Sequence, residues 1–137
     1  MEAIERVKKF IQKDRFAKYI GIEILDISLG RAKASMKIED HHLNAANVVH
    51  GSAIFGLADL VFAVASNSHG KVSLGINMSV SYLKAASGGT LFAEAKEISK
   101  NKKLGTYLME VTDEQNDIIA ILQGTVYRKN EDIGGAT

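Results

Sequence analysis

Residues 50–82 read HGSAIFGLADLVFAVASNSHGKVSLGINMSVSY, and the change of period inside this stretch decides the fold. From Ser52 to Asn67 the apolar side chains run all round a helical wheel, which describes a helix buried on most sides. From Val72 the period becomes two: Val72, Leu74, Ile76, Met78, Val80 and Tyr82 alternate with Ser73, Gly75, Asn77, Ser79 and Ser81. That is the pattern of a long β-strand. Gly56 within the helix costs about 1 kcal/mol against alanine, so the sequence predicts that it serves close packing against a sheet.

Working outward, strands are predicted at 22–27 and 32–38, joined by a tight turn at Leu29-Gly30-Arg31. Residues 90–99, 104–112 and 117–128 read as three more, the last two joined by Asp113-Glu114-Gln115-Asn116. Residues 3–18 show helical spacing in Ile4, Val7, Phe10, Ile11 and Ala17, with Asp14 the one polar residue in the series, and Gly21 ends it. The tail NEDIGGAT (130–137) is expected to fray. Strands separated by short turns pair antiparallel, and an antiparallel sheet must cover its apolar face. The helix from Ser52 to Asn67 is the element apolar enough to do so. The expected class is therefore α+β, an antiparallel sheet wrapped around a central helix, with residues 1–137 as one domain.

Composition narrows the function classes. The chain has 137 residues, 46% hydrophobic and 24% charged, close to globular averages. A net charge of +1 gives no electrostatic footprint for nucleic acid or a polybasic membrane surface. The absence of cysteine excludes a disulfide framework and thiolate chemistry, and fits a reducing cytoplasm. The N-terminus lacks the apolar core of a signal peptide, and Asp59 interrupts the longest apolar run, which is too short to span a membrane. A cytoplasmic protein is expected. His41, His42 and His50 have poor spacing for zinc, so no metal is expected. His69 reads as a solvated loop residue.

An aspartate in an otherwise apolar helix draws notice, because charged groups are rarely buried unpaired. Asp59 points at water, pairs with something, or does chemistry. The segment His50-Gly51-Ser52 lies where the helix starts, where free backbone N–H groups attract negative charge. Gly51 allows close approach to the backbone, and such a place suits an oxygen that turns anionic in a transition state. Ser52 also reads as an ordinary helix cap, and His50 as a residue that holds the loop. Gly51 and Asp59 are separated by roughly 12 Å along one helix. If both act on one substrate, a second copy of the helix must run antiparallel alongside, as a twofold dimer provides.

The segment NAANVVHGSAIFGLADLVFAVASNS (44–68) resembles the PaaI-type acyl-CoA thioesterases of the hotdog superfamily, and GINMSVSYLKAASGGTLFAEA (75–95) resembles the segment that follows there. The resemblance covers about residues 20–128. It implies a hotdog fold, hydrolysis of acyl-CoA thioesters without a cofactor, and assembly as a homodimer or homotetramer. It matches Asp59 to the catalytic carboxylate, as general base or nucleophile, and Gly51 to the N–H that polarises the carbonyl. It matches His50 to a histidine orienting the loop or thioester, and Asn44 to an asparagine placing substrate or water. Two departures stand out: Ser52 replaces the second glycine of His-Gly-Gly, a change expected to crowd or re-tune the substrate pocket that the resemblance implies, and Asn47 replaces a common glycine. The position near Gly75 is where some relatives carry a serine; here Ser73 and Ser79 are close in sequence. Lys103, with Lys100, Lys102, Arg128 and Lys129, either meets coenzyme A phosphates or forms a solvated edge that discourages aggregation. Phe55, Phe62 and Met78 read as core. A non-catalytic acyl-CoA-binding module on the same fold is the alternative function; a hydratase ranks last, because its Asp and His pair is absent from the expected place.

Overall fold

The computed structural model describes residues 2–134. Helix α1 (Ala3–Ile11) and helix α2 (Arg15–Ile20) lead into a hairpin of β1 (Ile22–Ser28) and β2 (Arg31–Lys37). A single 3-10 turn (Asp40–His42) precedes helix α3 (Gly51–Asn67), and strands β3 (Lys71–Tyr82), β4 (Thr90–Lys100), β5 (Leu104–Thr112) and β6 (Ile118–Asp132) follow. All strand pairs are antiparallel, in the order β1-β2-β4-β5-β6-β3. Helix α3 touches every strand of this sheet. The expected α+β hotdog architecture is therefore present.

Four features differ from the sequence reading. The N-terminal helix is two helices, because Asp14 caps the second: its Oδ1 accepts from the Ala17 N–H at 2.9 Å. Gly56 does not face the sheet; a Cβ there would lie 3.1 Å from Ile20 and 3.2 Å from Phe16 of α2. The chain does not fray at residue 130, since β6 runs to Asp132 and Ile133 is buried. The Ile133 N–H donates to the Gly70 carbonyl at 2.8 Å, and its carbonyl accepts from Arg6 Nε at 3.1 Å. Residues 135–137 of the tail lie outside the described residues.

The fourth difference is in β3. Strict alternation would place its six apolar side chains on one face. Instead the ladder with β6 shifts register between Gly75 and Asn77, and this bulge swaps the faces. Before it, Ser73 is buried and Gly75 lies under the Phe62 ring, where a Cβ would stand 3.0 Å away. After it, Met78 and Tyr82 face the helix side, as the contacts of Met78 at Gly124 and of Tyr82 at Gly51 record. Leu74 and Ile76 are left 51% and 59% exposed on an edge strand that pairs with β6 alone.

Candidate active site

The site is assembled at the N-terminal end of α3. His50, in extended conformation, caps the helix in place of Ser52: its Nδ1 accepts from the Ser52 N–H at 3.1 Å and lies 2.7 Å from Ser52 Oγ. Because the ring takes one of the orphan donors, the Gly51 N–H at the first helical position is left with no acceptor among the described residues. The Gly51 carbonyl accepts from Tyr82 Oη at 3.2 Å, and a Cβ at Gly51 would come within 3.2 Å of the Tyr82 ring. Glycine here thus admits an aromatic ring against the backbone.

The preceding loop is held rigidly. Asn44 Oδ1 accepts from the N–H groups of Ala46 (2.9 Å) and Val48 (3.3 Å), which lets Asn47 take a left-handed φ of 60°. The Asn44 carboxamide nitrogen has no partner among the described residues. His42 is buried. Its Nδ1 accepts from the Glu39 N–H at 2.9 Å, so its Nε2 carries the proton and donates to the Ile20 carbonyl at 2.7 Å. The His50 N–H donates to the His42 carbonyl at 2.7 Å. With both ring nitrogens of His42 engaged by backbone, the three histidines near the helix start do not form a ligand set.

Asp59 sits two turns along α3, on a stripe with Ser52, Phe55, Gly56 and Ala63 that the fold leaves incompletely covered. Its carboxyl makes no hydrogen bond or ion pair among the described residues. The group opens onto solvent in the single chain, yet the packing around it still strips enough water to raise its pKa above 3.8, and the charge of Asp14 adds to the rise. A carboxylate without a counter-charge and with raised basicity is suited to taking a proton.

The structure thus brings His50, Gly51, Ser52 and the Asn44 loop together, with Asp59 farther along the same helix. Gly75 is midway along the edge strand, packed on Phe62. Lys103 stands apart, in a basic cleft of about 220 Å³ with Lys71, Lys102, Arg128 and Lys129. His69 is not solvated as expected: its Nε2 is 2.7 Å from Glu97 Oε1, which also accepts from Tyr107 Oη at 2.6 Å. Sequence reasoning missed Tyr82 and Asp14. The first lies on the far side of the strand bulge and the second on a separate helix, so spacing relative to the motif could find neither.

The family model of the thioesterase superfamily matches residues 46–120. A protein of Archaeoglobus fulgidus named "Putative esterase" is 51% identical over 133 residues, spanning 96% of this chain and 86% of that one. The acyl-coenzyme A thioesterase PaaI of Escherichia coli K12 is 30% identical over 135 residues, spanning 98% and 94%. The solved structure of E. coli PaaI superposes with a TM-score of 0.89 at 27% identity, covering 96% of this chain and 99% of that one. With a central helix wrapped by a six-stranded sheet, a free N–H at its start and an unpaired aspartate along it, the chain belongs to the thioesterase superfamily, as a hotdog thioester hydrolase of the PaaI type.

Proposed function

We propose that this protein hydrolyses acyl-coenzyme A thioesters at sites built between two copies of the chain. The observation that carries the reading is the pair of unsatisfied groups on α3: the Gly51 N–H and the Asp59 carboxylate. Gly51 polarises the thioester carbonyl and holds the oxyanion that forms. The Asp59 carboxylate of the partner protomer draws a proton from water, whose oxygen bonds to the carbonyl carbon. The carbon–sulfur bond then breaks and the thiolate leaves, collecting a proton. The free amide nitrogen of Asn44 steadies the water or the acyl oxygen, and His50 with Ser52 fixes the helix start. No metal or cofactor is needed, because a thioester already carries a good leaving group.

Two chains are needed because roughly 12 Å separates Gly51 from Asp59 along one helix. The edge of β3, with Leu74 and Ile76 exposed, offers the surface for pairing. A twofold axis beside β3 pairs it antiparallel with its copy and sets the two α3 helices antiparallel, which carries Asp59 of one protomer toward Gly51 of its partner. Because β3 runs from Lys71 to Tyr82, the same axis carries the basic cleft of one protomer toward the Tyr82 end of the other. Lys102 and Lys103, whose ammonium groups have no partner among the described residues, receive the phosphates of coenzyme A there. Gly75 lies close to the axis and lets the acyl carrier pass. Pairs of such dimers form the tetramer, and the domain spans residues 1–137 of a cytoplasmic enzyme.

The test is thiol release from phenylacetyl-, benzoyl-, acetyl-, hexanoyl- and palmitoyl-CoA by the wild type and by Asp59→Asn. Turnover of one class by the wild type, falling at least about ten-fold in the variant (~1.4 kcal/mol), supports the reading. Equal rates in both proteins overturn the role of Asp59, and no release from any substrate overturns acyl-CoA as substrate. The composite site has its own check: inactive Asp59→Asn and Gly51→Val chains, unfolded and refolded together, regain activity only if each site draws on two protomers.

A further inference from the structure

A cleft of about 460 Å³ opens between the α1–α2 junction and β1, at the edge of the sheet far from β3. Its walls are Ile11, Ala17, Ile22, Ile24, Ile27 and Leu60. Each of these is buried or half-buried, whereas Lys18 and Asp26 at its margin are exposed. The cleft thus joins an aliphatic wall to a charged margin of Lys8, Lys18 and Asp26, with the half-buried Asp14 also in its lining. Protein interiors pack like organic crystals, and a void of this size lies within the range of ligand pockets, about 300–1,000 Å³. Leu60 is the residue after Asp59 on α3, and Asp14, another lining residue, is near enough for its charge to act on Asp59. The cleft thus borders the helix that carries the proposed base, one residue along from it, at the opposite edge of the sheet from β3.

We infer that this cleft receives the acyl chain, and that its branched aliphatic walls select a medium-length aliphatic acyl group over an aryl one. The inference rests on the hydrolysis reading above and names the substrate class for it. Among the described residues no aromatic side chain lines the cleft, so a phenyl ring would find no ring to stack on, while a polymethylene chain meets apolar surface on the aliphatic walls. Ala17 on α2 is the smallest wall residue and Ile24 on β1 is among the larger ones, so changes of side-chain size at these two positions test the space from two walls.

The test is kcat/KM for acetyl-, hexanoyl-, octanoyl-, palmitoyl- and phenylacetyl-CoA with wild type, Ala17→Leu and Ile24→Ala. The wild type is expected to favour hexanoyl- or octanoyl-CoA. Ala17→Leu is expected to lower octanoyl-CoA hydrolysis about ten-fold relative to acetyl-CoA, in keeping with the worth of a methylene in a fitted pocket. Ile24→Ala is expected to move the optimum to longer chains. Shifts in opposite directions cannot arise from a shared loss of stability, and either variant alone decides the matter should the other fail to fold. An unchanged chain-length profile overturns the inference, as does a preference for phenylacetyl-CoA that neither variant disturbs. If the wild type hydrolyses none of the substrates, the hydrolysis reading fails separately. Binding of octanoic acid to the same three proteins then decides: weaker binding by Ala17→Leu supports the cleft, and equal binding overturns it.

Discussion

The two ends of α3 carry similar numbers of polar groups and treat them in opposite ways. At the C-terminal end every polar side chain is spent. Asn67 donates to the Ala63 carbonyl at 2.7 Å and accepts from the Ser73 N–H at 2.9 Å, while Ser73 Oγ donates to the Ser66 carbonyl at 3.0 Å. Ser68 Oγ donates to the Ala65 carbonyl and accepts from the Gly30 N–H, both at 2.7 Å. His69 and Tyr107 converge on Glu97 beside it. From the N-terminal end to mid-helix, the Asn44 amide nitrogen of the preceding loop, the Gly51 N–H and the Asp59 carboxylate stand without partners among the described residues. Buried polar groups are costly unless paired, so the first end stabilises the fold. The second is tolerated because it keeps its groups available for a substrate, which is the trade expected of an active site.

The sharpest way to break this comparison is Asp59→Asn. Loss of the base is expected to lower kcat by two orders of magnitude or more, within the usual range of about 10²–10⁴ for general-base catalysis. Its effect on stability has the opposite sign. The folded pKa of Asp59 is raised, so ionisation favours the unfolded chain at any pH above the folded value, and the two states lose this difference below about 3.8. The variant is expected to melt no lower than wild type at pH 7; a clear drop in melting temperature would show that Asp59 supports the fold instead.

At the other end, Asn67→Ala strands the buried Ser73 N–H. It is expected to cost about 1–3 kcal/mol, read as a lower denaturant midpoint, with kcat retained in the folded fraction. A variant as stable as wild type would show that the cluster is not a staple.

Glu97→Gln is expected to cost about 1.5–3 kcal/mol at neutral pH, the range for a hydrogen bond to a charged group. Burial alone would raise this carboxyl, but the hydrogen bonds from Tyr107 and His69 outweigh it and hold the pKa below 4.5. The stabilisation is thus full above 4.5 and lost as pH falls through the folded value. Unfolding measured across acid pH should show the gap between variant and wild type closing there; a pH-independent gap would assign the effect to packing.

The smallest effect is expected from Asp14→Asn. Asparagine caps helices as well as aspartate, so the fold is kept while the charge that helps raise Asp59 is removed. The acid limb of kcat/KM is expected to move to lower pH, and an unmoved limb would separate Asp14 from the site.

Much of this was legible in residue order because it depends on local periodicity. The buried helix around Leu57, Val61 and Val64 and the strands that follow announce themselves by spacing alone. Asp59 stood out because a charge in an apolar helix is conspicuous whatever surrounds it, and Gly51 because helix starts have free donors by construction. The motif from Asn44 to Asp59 also sufficed to suggest the thioesterase family before any coordinates. What spacing could not convey are relations between residues distant in the chain. Asp14 read as an apolar-face position and proved to be a cap and a neighbouring charge, and His69 read as solvated although Glu97 waits for it across the sheet.

The sequence by itself determined the helix, the strands, their antiparallel sense and the chemical oddness of Asp59, because each follows from side-chain pattern and backbone hydrogen bonding within a few residues. Tertiary structure alone decided that Tyr82 lies against Gly51, that β3 turns Leu74 and Ile76 outward, and that a cleft opens beside Leu60. Each of these depends on a bulge, a cap or a packing gap, where one residue of register or one methyl group changes which atoms meet, and a pattern of residue types does not encode that difference.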